Sequence, residues 1–321
     1  MLLSRKRGDR KDAYRVKNVE PFFLIIPYVM KTRVDSQNYF SEELDITALE
    51  QFVRTRQKEI PGLKLYHLLV AAMVRTYSQR PYLNRYVMDS KIYARKEMCV
   101  SLTIKRGMSV RDDETVIKPV FALDSTLYDV VEAFNKGVEE NRKEIDENNT
   151  DFTAKLVGNL PHWLVKFVIN TLWFMDKKGI MPNIINKVSP FHTSLFVTNM
   201  GSIGIKPIYH HLYEFGTTSV FVAMGKKRLE LTKDSEGNVK RRRLIDIKVV
   251  TDERICNGHY YAESARMFMK YLMNPESLLT PPEKICIDNG IHKLSKRKFI
   301  EIRDGKKVKV PFELGDKYFT H

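Results

Sequence analysis

Val250-Thr251-Asp252-Glu253-Arg254-Ile255-Cys256-Asn257-Gly258 is the stretch on which the reading of this chain turns. It follows a period-two apolar run over residues 244–250, the pattern of a strand, and it closes on a glycine, which keeps a turn possible. Three charged residues lie between the strand and the turn. A glutamate in such a loop serves as a general base near neutral pH only where burial lifts its pKa well above the usual ~4.3. The neighbours of Glu253 pull in opposite directions: Asp252 would raise its pKa and Arg254 would lower it.

Four further blocks lie in order along the chain. Leu44-Asp45-Ile46-Thr47-Ala48-Leu49 reads as a strand running into a helix, and Arg80-Pro81-Tyr82-Leu83-Asn84 reads as a turn. Residues 116–121 followed by 125–139 read as strand, turn and helix. The last block, Ser194-Leu195-Phe196-Val197-Thr198-Asn199-Met200-Gly201, reads as a strand. Together with the loop, over residues 27–285, these blocks resemble the chloramphenicol acetyltransferase and dihydrolipoamide acyltransferase superfamily. Its catalytic loop has the pattern His-x-x-x-Asp-Gly, its turn reads His-Pro-x-Leu-Asn, and its strand reads Thr-Phe-Thr-Ile-Ser-Asn-Leu-Gly. Glu253 stands in the histidine position and Asn257 in the aspartate position.

The resemblance implies an α/β two-layer sandwich, a mixed sheet covered by helices, assembling as a homotrimer with active sites between subunits. It implies acyl transfer from coenzyme A, with acyl-CoA as substrate and an unknown small-molecule or lipoyl-type acceptor. Thr198 inherits the role of hydroxyl donor to the oxyanion, Glu253 that of base, and Asn199, Gly201 and Gly258 shape the two loops. Asn257 retains hydrogen bonding but cannot form the salt bridge an aspartate would. His210 and His211 are alternative sources of an imidazole; read as adjacent strand residues they face opposite sides, which argues against shared metal chelation. A catalytically silent trimeric scaffold of the same fold is the competing reading. There is no lipoyl-type domain and no Ala/Pro linker in the sequence, so a free-standing catalytic domain is expected at 27–285, between a basic extension (1–26) and a β-rich one (286–321).

The 321 residues, 43% of them hydrophobic, suffice for a full core in one domain. Three cysteines, Cys99, Cys256 and Cys286, are too few and too scattered for a disulfide framework or a zinc site, so no metal is expected, and a reducing cytoplasmic setting is. No apolar run reaches the ~20 residues of a membrane span. The net charge of +15 gathers at residues 5–11, 226–228, 240–243, 293–298 and 306–309. A solvated surface explains most of it, coenzyme A phosphates could use part, and no nucleic-acid motif accompanies it.

Capping boxes are expected at Thr47 to Glu50 and Thr126 to Asp129, a buried helix at 65–79 and a closing helix at 262–272. Residues 160–175 carry apolar side chains at helical spacing. That face is expected to pack on the protein itself or, together with residues 219–223, on a neighbouring subunit; its two tryptophans make membrane-surface contact the alternative. Strands are expected at 98–104, 116–123, 219–223, 229–233 and 244–250, with a hairpin turn at 234–238, and short ones at 299–303 and 308–311. His67 and His162 are expected to be packed structural histidines, and His192 has no identifiable partner.

Overall fold

Two short strands, β1 (Leu2–Leu3) and β2 (Ala13–Arg15), lead into α1 (Pro21–Val29); its Pro21 occupies the first turn, where a missing amide costs no helical hydrogen bond, and a second proline, Pro27, lies inside the helix. Strand β3 (Gln37–Asp45) is followed by α2 (Thr47–Arg56) and α3 (Leu65–Gln79). Then come the hairpin β4 (Arg85–Met88) and β5 (Lys91–Arg95), and strands β6 (Met98–Lys105), β7 (Glu114–Ile117) and β8 (Val120–Phe121). Helices α4 (Leu127–Asp146), α5 (His162–Lys178) and α6 (Asn183–Val188) precede β9 (Leu195–Asn199), β10 (Val220–Met224), β11 (Arg228–Lys233) and β12 (Val239–Asp252). After α7 (Gly258–Met273) the chain ends in β13 (Ile285–Ile287), β14 (Lys298–Arg303), β15 (Lys306–Pro311) and β16 (Tyr318–Thr320). This computed structural model describes residues 2–105, 114–146, 160–233, 235–303, 306–311 and 317–320.

The central sheet runs β11-β12-β10-β9-β6-β7, with β3 on the second edge of β12 and β8 paired to β6. It is mixed: β9 is parallel to β10 and β6, and the other pairings are antiparallel. Alternation along the strands gives it two different faces. Val197, Val222, Met224, Ile245 and Ile247 join the main core beneath the helices, whereas Phe196, Phe221 and Val250 form a smaller cluster on the other side with Leu212. Helix α3 lies between α4 and α7, which is why the run from His67 to Ser78 is buried on every side. The architecture is the expected two-layer one. The ends of the chain also meet: β1 pairs with β14, and Asp9 and Arg297 form an ion pair at 2.7 Å with no exposed surface on either side chain.

Several local expectations give way to tertiary contacts. No capping box forms at Thr47: Asp45 accepts from the Thr47 amide and hydroxyl, and the Glu50 carboxylate is taken up by Lys227 and Arg243. The reciprocal box at Thr126 and Asp129 does form. The strand expected over 116–123 splits into β7 and β8 around Pro119, which has no amide to donate. Residues 219–223 are buried within the chain and offer no surface to a neighbour. His162 is exposed at the start of α5, and most of the large apolar side chains of α5 are exposed too, although Leu164, Val165 and Leu172 are half-buried and Trp173 packs its ring on Phe215 with centroids 5.3 Å apart. No described helix is long and apolar enough to cross a membrane.

His67 is a packed histidine as expected. It is fully buried beside Tyr66 and Phe134, and its Nδ1 accepts the Lys64 amide at 3.1 Å. Burial first, and the Lys64 charge second, push its pKa from 6.5 down to about 3. Between those values the unfolded chain takes up a proton that the folded chain refuses. The stability His67 confers is therefore complete above pH 6.5 and declines as pH falls toward 3, by ~1.4 kcal/mol per unit. Glutamine can accept the same amide without titrating. Urea midpoints at about pH 7 and about pH 4.5 should show His67→Gln losing less stability on acidification than the parent, by ~2 kcal/mol or more; equal losses would mean that His67 is not held neutral.

Candidate functional site

The loop after β12 is organised by Asp252, not by Glu253. Asp252 has no exposed surface; its carboxylate accepts from Arg254 at 2.7 and 2.8 Å and from the Ser36 hydroxyl at 3.1 Å, and lies 3.8 Å from the Arg33 guanidinium. Its main-chain carbonyl accepts from the Tyr261 hydroxyl at 2.8 Å. Arg254 also donates to the Met30 carbonyl at the end of α1. Both cations beside the loop are thereby committed to Asp252. Glu253 is half-buried, its amide donates to the Ser36 carbonyl at 2.8 Å, and its carboxylate makes no hydrogen bond or ion pair among the described residues.

Asn257 caps α7: its side-chain oxygen accepts the Tyr260 amide at 2.8 Å. An amide does this as well as a carboxylate, so the loop-to-helix junction is held without the charge. Gly258 follows in open space. Cys256 is buried and its thiol is pushed up to about 12, chiefly by burial, which removes it as a nucleophile near neutrality.

Thr198 lies at the far end of β9. It shares a sheet face with Phe196, two residues earlier, and its hydroxyl meets only the Met200 sulfur, at 3.7 Å. His210 reaches the same face, its ring stacked on Phe221 with centroids 4.1 Å apart and planes within 3°. His210 and His211 lie in a loop, not a strand, so they do not face opposite sides as expected; their rings stack at 5.0 Å. The His210 Nδ1 sits 3.0 Å from the His211 carbonyl and must donate to it, which leaves Nε2 as the acceptor in the neutral ring, 3.5 Å from the Tyr213 hydroxyl. Arg33 holds this loop in place: it donates to the carbonyls of Tyr213, Glu214 and Gly216 while facing Asp252.

Asn199 and Gly201 belong to the other face. With Gly225, Lys64, Lys226 and Lys227 they line a cavity of about 530 Å³ on the helix side. Gly201 is required there, since a Cβ would lie 2.7 Å from the Gly225 carbonyl oxygen. Sequence reasoning did not find Lys64 or Arg33, because both act through contacts remote in sequence. It also left His192 without a partner; the ring lies between Ser189, at 2.7 Å, and Asp176, at 3.1 Å, in a fully interior chain completed by Arg10.

One chain does not bring Glu253 and Thr198 together. Thr251 is level with Val220 and Thr198 with Ala223, so the two residues are separated by about 16 Å along the strands and about 10 Å across them at usual sheet spacings.

No protein-family model matches the chain, and no curated protein matches it. Among solved structures, the cubic core of the pyruvate dehydrogenase multienzyme complex overlaps 86% of this chain and 94% of its own, at 12% identity and a TM-score of 0.49. A probable dihydrolipoamide acetyltransferase from Listeria monocytogenes 4b F2365 overlaps 84% of this chain and 96% of its own, at 14% identity and 0.48. A chloramphenicol acetyltransferase overlaps 76% and 92%, at 13% and 0.41. The fold is a mixed α/β arrangement like theirs; likeness at this level says nothing about chemistry, which has to be read from this chain's own residues.

Breaking the Asp252 cluster should be costly because it strands buried cations. Asp252→Asn is expected to lower the unfolding free energy by about 3–5 kcal/mol in urea titration, whereas Asn257→Ala should cost ~1 kcal/mol, the usual worth of a cap. A loss below ~1 kcal/mol for Asp252→Asn would mean that the arginines find other partners.

Proposed function

We propose that the chain is a coenzyme A dependent acyltransferase, acting as a homotrimer whose site forms between copies, with Glu253 of one copy as general base and Thr198 of the next as oxyanion donor. The observation that carries this reading is the state of Glu253: Arg254 is engaged by Asp252, so the Glu253 carboxylate is left uncommitted on a loop that is itself tightly held. The separation of Glu253 from Thr198 within one chain supports the shared site. The family resemblance supplies the reaction class.

In this reaction the acceptor hydroxyl or thiol gives its proton to Glu253 as its oxygen or sulfur attacks the thioester carbonyl. The Thr198 hydroxyl donates to the oxyanion that forms. Collapse breaks the carbon–sulfur bond, and the departing coenzyme A thiolate takes the proton from Glu253. Lys64 and Lys226, both exposed beside the cavity at Asn199 and Gly201, are the cations we assign to coenzyme A phosphates. The patch formed by Tyr39, Ile205, Ile208 and Tyr209, exposed and close to the Thr198 face, is the surface we assign to the contact between copies.

Calorimetry with coenzyme A and acetyl coenzyme A tests binding; absence of saturable heat would favour the silent scaffold. Glu253→Gln should abolish acyl transfer and leave coenzyme A affinity nearly intact, and Thr198→Val should lower the rate ~10²-fold or more. Full activity in Glu253→Gln would move the base elsewhere, with His210 next to be substituted. Light scattering at micromolar concentration should give a trimer mass, and a clean monomer would remove the shared site.

A further inference from the structure

Helix α5 is apolar around most of its circumference, and among the described residues little covers its first three turns. Of its residues only Asp176 is buried, while Trp163, Phe167 and Phe174 are 69%, 64% and 57% exposed. At about 100° per residue, His162, Lys166, Asn170 and Lys177 fall within an arc of roughly 80° that Trp173 shares, and apart from Thr171, Asp176 and Lys178 the rest of the circumference is apolar. The Thr171 hydroxyl turns back onto the Phe167 carbonyl at 2.8 Å, which removes a polar group from the apolar side. A helix that docks in a protein groove presents a stripe; a narrow polar face over a wide apolar one is the pattern of a helix lying in a lipid interface.

The charges select the lipid. The single acid of α5, Asp176, is sequestered by Arg10 and His192, so the charged groups left at the surface of the helix are Lys166, Lys177 and Lys178, all cationic. Helix α1 adds a second apolar surface, with Phe22 and Ile25 64% and 60% exposed and no charged residue along its length. The two helices flank one hairpin: α1 packs on β5, and Lys177 lies 3.8 Å from Asp89 in the β4–β5 turn.

We propose that α5, with α1 on the same hairpin as a secondary contact, is a peripheral membrane-docking surface for bilayers rich in anionic lipid. Interfacial tryptophan and lysines that reach the headgroups supply the anchoring. This inference does not depend on the acyltransfer reading, because neither helix contains a residue assigned to the reaction.

Both tryptophans of the chain, Trp163 and Trp173, are on α5, so tryptophan emission, excited selectively over the tyrosines, reports on this helix. The full-length protein is mixed with vesicles of phosphatidylcholine alone, and with vesicles containing phosphatidylglycerol. Co-sedimentation with the anionic vesicles is expected, with a blue shift of emission and weakening by salt. Lys166→Gln should lower the partition coefficient about five-fold, and Phe167→Asp should lower it by about ten-fold or more, with unchanged circular dichroism since both positions are exposed. Failure to bind either vesicle, or equal binding to both, would overturn the proposal. So would emission already blue without lipid: if it reddens on dilution, a second copy covers the helix, and if it does not, other residues of the chain do.

Discussion

A carboxylate without solvent has to be matched by buried cations, and at Asp252 this requirement ties the site region together. Arg254 and Arg33 meet its charge from two directions, and the Ser36 hydroxyl completes the set. Because each arginine has donors left over, the ion cluster becomes a junction. Arg254 spends one on the end of α1, and Arg33 spends several on the loop that carries His210 and on the Val87 carbonyl in β4. Leaving any of these donors unmet inside the protein would be expensive, so the ends of α1, β4 and β12 and the 213–216 loop have little freedom to move independently.

That junction changes the meaning of the residue beside it. Glu253 is surrounded in sequence by a carboxylate and a guanidinium, and its properties would be set by whichever it met. The buried pairing of Asp252 with Arg254 removes both from the contest, leaving Glu253 to be governed by its half-buried surroundings. The sheet divides the remaining groups by parity: Thr198 and His210 occupy one face, and Asn199 and Gly201 open on the other beneath the helices. Consecutive residues of one strand thus face two different compartments.

The apolar surface on α1 and α5 stands apart from this economy of buried polar groups. Helix α3 is the opposite extreme, its run from His67 to Ser78 wholly enclosed. Short helices gain most of their stability from packing their apolar faces, and α5 packs chiefly near its C-terminal end, through Asp176 and through Trp173 against Phe215.

Much of the architecture was legible in residue order. Period-two runs marked β6, β10, β11 and β12, the apolar stretch at Leu68 to Val74 marked a helix buried on all sides, and the Thr126 and Asp129 spacing marked a helix start, because each of these is a local demand of backbone geometry or hydrogen bonding. The collinear blocks carried the resemblance that named the fold class. Where a residue had a stronger partner far along the chain, local reading failed: Glu50 was drawn from a cap to Lys227 and Arg243, and His192 found Ser189 and Asp176. The sequence alone therefore placed Glu253, Asn257 and Thr198 in their loops and strand, since turn and strand patterns are short-range. Only the tertiary structure decided that Arg254 belongs to Asp252, that Asn257 is a cap, and that Glu253 and Thr198 of one chain lie far apart. Those outcomes depend on which charges burial forces together, and that competition is settled across the whole fold.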